Sequence, residues 1–183
     1  MNHATQILTA IDARLNAPVE LTLYGRAALA LGFAQPPAEF ALTRDVDAVL
    51  WLGQAEELNQ RTNFWEALEQ VNEALADQEL YISHLFTEDQ VILRPDWRAH
   101  RVAIAGAWRR LTLFRLGDLD LLLSKLMRDD PIDRSDALFI VRAAKLKLPQ
   151  IQQAVQVARV PDAAEIREQF ASACSKLLAS LHD

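Results

Sequence analysis

Two aspartates, Asp45 and Asp47, stand two residues apart in the run from Leu42 to Leu52, with apolar residues ahead of them and behind. Successive side chains of an extended strand alternate faces. Leu42, Arg44, Val46, Ala48 and Leu50 therefore share one face, and Thr43, Asp45, Asp47, Val49 and Trp51 share the other. Two neighbouring carboxylates repel, and a sheet gains nothing from that arrangement by itself. A divalent cation between them removes the conflict. Mg²⁺ takes carboxylate oxygens and keeps positions for water and phosphate. A bare Asp-x-Asp more often lies on a solvated strand face or near a turn, because so short a pattern recurs by chance.

What distinguishes this pair is the stretch some twenty residues upstream. Leu21-Thr22-Leu23-Tyr24-Gly25-Arg26 leads into an Ala- and Leu-rich run ending at Phe33. It reads as strand, glycine turn and helix. A glycine in that place lets a phosphate approach the backbone N–H groups that open the helix.

Strand, glycine, helix and a following strand with Asp-x-Asp resemble the DNA polymerase beta-like nucleotidyltransferase superfamily, with Gly25, Asp45 and Asp47 as the matching residues. The wording around them looks most like its small bacterial branch, which includes toxin components of toxin–antitoxin and phage-defence systems. Arg26 is a departure: the superfamily usually has Gly or Ser there. A guanidinium there either holds phosphate through its planar fork of donors or blocks the site.

A second group continues the resemblance. Asp118 to Arg128 is leucine-rich and interrupted by Lys125; Asp133 and Asp136 follow. That branch often shows Asp-Leu, Lys-Leu and Arg followed by an acidic pair, matched here by Asp120, Lys125, Arg128, Asp133 and Asp136. The resemblance implies a lysine near the nucleotide, where Lys125 would balance triphosphate charge. The plainer alternative pairs Lys125 and Arg128 with Asp129 or Asp136.

Together the motifs span about Leu21 to Val141. They imply Asp45 and Asp47 as ligands of Mg²⁺ or Mn²⁺, and Asp45, Asp47 and Lys125 as the catalytic set. Gly25, Arg26, Arg44 and Arg128 are the candidate nucleotide-binding residues, with an NTP as substrate. The acceptor is RNA, a protein or a small molecule, and an antitoxin-like protein is the implied partner. Two readings stay open: an enzyme moving a nucleoside monophosphate from NTP to its acceptor, and a non-catalytic relative that binds nucleotide or a partner. Relatives carry a third carboxylate on a later strand; Glu79, Glu88 and Asp89 flank the next one here, and none is singled out. His84 within that strand reads as a structural residue rather than a base.

The elements that must position these residues follow from periodicity. Ala4–Leu15 is helical. The strand at Leu21–Tyr24, a helix over Ala27–Leu31, a proline-containing loop and the carboxylate strand Leu42–Leu52 come next. Asn63 with Glu66 gives a capping signature for a helix to about Asp77, with Phe64, Leu68, Val71 and Leu75 inward. Leu80–Phe86 and Val91–Arg94 read as a hairpin-like pair, and Val102–Gly106 and Leu111–Leu116 as further strands. Beyond Gly117 the chain is helical. Asp118 and Asp133 are its expected caps, and Ile166, Phe170, Ala173, Leu177 and Leu181 share the face of the last helix. The expectation is an α+β fold, a nucleotidyltransferase-like mixed sheet flanked by helices over residues 1–117, with a helical extension over 118–183 packed on it.

Composition narrows the rest. The 183 residues are 51% apolar, and the net charge is −6. Sequence-blind nucleic-acid binding draws on many Lys and Arg contacts to phosphate, so the charge argues against it outside a local basic pocket, and no sequence-specific DNA binding is expected. The aromatic and basic residues Trp97, Arg98, Arg101, Trp108, Arg109 and Arg110 would suit stacking on RNA or the rim of a core. The lone Cys174 falls at a buried helical spacing. His3, His84, His100 and His182 lack metal-ligand spacing. The first fifteen residues do not read as a signal peptide, and no run approaches the ~20 apolar residues of a membrane span. The expected location is cytoplasmic.

Overall fold

The computed structural model describes residues 2–181. His182 lies outside them, and so does the side chain of His84. In chain order the α-helices are α1 His3–Arg14, α2 Gly25–Gly32, α3 Leu52–Asn59, α4 Thr62–Leu75, α5 Asp118–Lys125, α6 Pro131–Ala143, α7 Leu148–Val157 and α8 Ala164–Ser180. The strands are β1 Val19–Tyr24, β2 Asp45–Leu50, β3 Tyr81–Thr87, β4 Val102–Ala103 and β5 Leu111–Arg115. The fold is α+β, and no helix is long and apolar enough to cross a membrane among the described residues.

Contacts divide the chain into two units. One comprises Met1–Thr87 with Val102–Arg115, and the other Glu88–Arg101 with Leu116–Asp183. A division at Gly117, as composition alone suggests, puts residues 88–101 in the wrong company: they belong with the helices that follow.

The first unit holds a five-stranded mixed sheet in the order β3-β2-β1-β5-β4. β1 is central, antiparallel to β2 and parallel to β5. Its middle residues, Leu21, Thr22 and Leu23, are fully buried, as a strand covered on both faces requires. β3 adds in parallel at one end. Helix α1 buries Ala4, Ile7, Leu8 and Ile11, and α4 buries Phe64, Ala67, Leu68, Val71 and Leu75. These are the helical faces that periodicity predicts.

Asn63 does not cap α4. It lies inside the first turn, and its Oδ1 accepts from the backbone N–H of Asn16 at 3.1 Å. The carboxylate strand is also shorter than Leu42–Leu52, because Ala38–Leu42 coils into a 3₁₀ turn ahead of it. Near β4 and β5, Asp12 of α1 gathers three backbone donors: Arg109 N–H at 3.0 Å, Arg110 at 2.7 Å and Leu111 at 2.8 Å. Arg110 Nη1 donates to the Asn16 carbonyl at 2.6 Å. These two arginines therefore stand at a structural turn.

The second unit is helical, with α5 against α6 and α7, and α6 against α8. Val91–Arg94 is not a hairpin strand. Only Leu93 pairs, antiparallel with Arg159. Trp97 is buried, and its indole N–H donates to Glu88 at 2.9 Å. Gly117 rather than Asp118 caps α5. Asp130 rather than Asp133 caps α6, with Pro131 at the first helical position and the Asp133 N–H bonded to the Asp130 side chain at 2.8 Å. In α8, Phe170, Ala173, Cys174 and Leu177 are buried. Burial pushes the Cys174 thiol up to about 12, so it stays protonated at neutral pH.

Candidate functional site

The strand–glycine–helix segment folds as its composition dictates. β1 ends at Tyr24, and Gly25 turns the chain with φ +68° into α2. Left-handed backbone favours a residue without Cβ. Ala27, Ala28, Leu29 and Ala30 then bury the helix against the sheet, their small side chains allowing close approach.

In the β1–β2 ladder Tyr24 lies opposite Asp47. That register brings Asp47 beside the glycine bend. A Cβ on Gly25 would stand 3.0 Å from Asp47 Oδ2. The absence of a side chain at Gly25 is thus required twice, by its backbone angle and by the carboxylate against it.

Asp45 and Asp47 are half-buried, and the intervening Val46 is fully buried on the other face. The alternation read from the sequence holds. Each acid takes a hydroxyl donor: Thr43 Oγ1 donates to Asp45 Oδ1 at 2.9 Å, and Ser83 Oγ to Asp47 Oδ1 at 2.5 Å. The second bond arises from a bulge. β3 pairs Ile82 with Val46 but His84 with Asp47, so Ser83 is the extra residue between them. Bulges re-aim side chains in this way.

No signal in the sequence singles out Ser83. Its spacing from Tyr81 matches that of Asp47 from Asp45, and Tyr81 lies opposite Asp45. Only the parallel register and the bulge, which no local pattern encodes, assign its hydroxyl to Asp47.

The cations fall as follows. Arg26 lies in the first turn of α2 with its guanidinium 5.4 Å from the centre of the Phe40 ring, a cation–π contact. Exposed Arg44 pairs with Glu79, so that acid, one of those flanking β3, is already engaged. Glu88 accepts from Trp97 within the helical unit.

Lys125 and Arg128 belong to the second unit. Lys125 is buried, with its ammonium 3.0 Å from Asp133 and 2.8 Å from Asp136, both carboxylates buried as well. Arg128 is exposed and reaches Asp133 at 2.9 Å. Buried charges persist when each has an opposite partner and its hydrogen bonds; here one ammonium between two carboxylates, with Arg128 alongside, balances the cluster. This is the plainer pairing weighed above, with Asp133 in addition to Asp136. Asp120 is fully buried and grips Arg94, accepting from its Nη2 at 2.7 Å and its backbone N–H at 2.9 Å.

No family model, curated protein or solved structure matches this chain. What the site does rests on its own geometry.

The oxygens on and beside β2 are hard donors: the carboxylates of Asp45 and Asp47 with the hydroxyls of Thr43 and Ser83, and of these Asp47 stands against the bend. That chemistry fits Mg²⁺ or Mn²⁺ rather than a softer metal. Among the described residues no group of three or more His, Cys, Asp or Glu side chains converges. A cation held by Asp45 and Asp47 would draw the rest of its shell from hydroxyl, water or phosphate oxygen.

Proposed function

We propose that the first unit binds a nucleoside triphosphate with a divalent cation at the Gly25 bend and transfers its nucleoside monophosphate to an acceptor. The observation that carries this reading is the placement of Asp47 against Gly25. It sets a metal-type carboxylate beside the backbone donors that open α2, where an anion is favoured by unpaired N–H groups and the helix dipole.

Gly25 and the first N–H groups of α2 would receive phosphate, with Arg26 as a cationic flank. Asp45 and Asp47 would hold the cation, oriented by Thr43 and Ser83. When bound, Mg²⁺ supplies charge neutralisation to a transferring phosphoryl group and a template for in-line displacement. The acceptor is an RNA, a protein or a small molecule. A partner of the antitoxin kind belongs to the same proposal.

One observation favours a second reading, metal–nucleotide binding without transfer. Beside Asp47 the neighbouring strand offers the hydroxyl of Ser83 rather than a third carboxylate, and the Lys125 ammonium is held by two acids of its own unit.

Pyrophosphate release with each NTP and Mg²⁺ or Mn²⁺, comparing wild type with Asp47→Ala, separates the two. Transfer predicts release that falls by about a hundredfold or more in the variant. Binding alone predicts no release but metal-dependent nucleotide affinity that Asp47→Ala abolishes. No metal-dependent binding of any NTP by the wild type overturns both. Labelled NTP in a cell extract then reports the acceptor as a labelled RNA, protein or small molecule.

A further inference from the structure

A groove of about 460 Å³ runs along the outer edge of the first unit, between α4 and β3. Its apolar lining is Trp65, Leu68, Ile82 and Leu85, and its carboxylates are Glu69 and Glu73. β3 ends the sheet order, so one of its sides has no strand beside it. Bare strand edges invite pairing with other chains. This edge is plugged at one residue: Asn72 Oδ1 accepts from Ile82 N–H at 2.8 Å, while Asn72 Nδ2 donates to the Ile82 carbonyl at 3.1 Å. The carboxamide imitates a neighbouring strand there. A visitor must therefore engage the groove through side chains rather than by continuing the ladder at Ile82.

The groove is built for that. Trp65 is 38% exposed, unusual for so large an apolar side chain. Its indole N–H donates to the Leu58 carbonyl at 3.0 Å, and its ring meets Phe64 edge-on at 5.1 Å. The ring is thus held as a fixed wall, and preorganised aromatic surface is the commonest anchor of protein interfaces. Glu69 and Glu73 are exposed one turn apart, a like-charge pair that weakens the isolated helix. No Lys or Arg lines the groove to offset them.

We propose that this groove docks a segment of a partner protein in which an apolar side chain enters beside Trp65 and flanking Lys or Arg residues pair with Glu69 and Glu73. The apolar anchor supplies affinity, and the carboxylates supply charge complementarity and exclude acidic segments. The proposal does not rest on the nucleotide reading, although Ser83 lines the groove while its hydroxyl donates to Asp47.

The test uses the full chain and a fluorescein-labelled octapeptide of alternating Leu and Lys, followed by anisotropy at physiological salt. The peptide binds the wild type. Binding weakens by about tenfold or more in Glu69→Lys/Glu73→Lys, and also in Trp65→Ala. Glu165→Lys/Glu168→Lys, which makes the same charge change on exposed residues of α8, binds like the wild type, and an alternating Leu and Glu peptide does not bind. Equal loss in the two double variants reduces the effect to net charge and overturns the proposal. Undiminished binding in Glu69→Lys/Glu73→Lys overturns it too. A wild-type dimer that the double variant dissociates gives the groove to a second copy of this chain and likewise overturns it.

Discussion

Gly25 concentrates the site's demands in one residue. Its φ of +68° penalises any side chain, and a Cβ would press on Asp47 Oδ2 at 3.0 Å. Gly53, inside α3, offers the opposite case: a Cβ there meets only the Trp51 ring, at an ordinary 3.7 Å. Gly25→Ala should therefore cost about 1–2 kcal/mol from the left-handed backbone alone, with a further loss from the displaced carboxylate. Gly53→Ala should be neutral or stabilise by up to about 1 kcal/mol, since alanine is the better helix former. Urea midpoints measure both. Mn²⁺ titration of the same proteins isolates the functional part: Gly25→Ala weakens the ion's binding while Gly53→Ala leaves it unchanged. Equal Mn²⁺ affinity in Gly25→Ala and wild type would detach the bend from the ion.

At the level of elements, the β4–β5 connection hangs on Asp12. Burial alone would raise that carboxyl, but the N–H groups of Arg109, Arg110 and Leu111, helped by the Arg109 charge, outweigh it and leave it below its ordinary value of 3.8. A carboxyl depressed by folding adds stability above its unfolded value and surrenders it as pH falls through the folded one. Asp12→Asn keeps the shape but turns amide donors toward donors, and should cost about 2 kcal/mol near neutrality. The gap between wild type and variant should close as pH drops below about 4, as read from urea midpoints at pH 3 to 7. A gap constant with pH would deny the carboxylate this role. Nothing in the local sequence links Asp12 to residues nearly a hundred positions away, and the same limit marks the site. β1, the Gly25 turn and the alternation of β2 were legible, because strand period and glycine chemistry are local. The opposition of Tyr24 and Asp47, the bulge at Ser83 and the pairing of Lys125 with Asp133 depend on register and tertiary packing. Val91–Arg94 is ambiguous in sequence for a related reason. A short apolar run between turn residues looks like a strand, yet Ile92 and Leu93 are buried with only one residue of ladder.

For the whole molecule, the chain does not finish one unit before starting the next. It completes Met1–Thr87, contributes Glu88–Arg101 to the helical unit, returns for Val102–Arg115 and then continues into the helices. The contribution is firmly tied within that second unit. Arg94 is held by the buried carboxylate of Asp120 on α5, and Leu93 by Arg159. Composition places a boundary at Gly117, but a fragment cut there keeps residues 88–101 and loses both partners. Arg94 would forfeit a charge-assisted hydrogen-bonded pair, and Val91, Ile92, Leu93 and Trp97, each at most 2% exposed in the intact chain, would lose the partners that fix their segment. Fragment 1–117 should aggregate or bind a hydrophobic dye, and the 88–101 peptide should exchange its amide hydrogens within seconds while the same peptide in the full chain is protected. Asp120→Ala in the full chain tests the tie without truncation: stranding the Arg94 guanidinium should cost about 3–5 kcal/mol and raise exchange at 88–101 before it does so in β1. A soluble, monomeric 1–117 fragment with the protection of the full chain would show instead that residues 88–101 fold with the sheet, and that the composition boundary is the physical one.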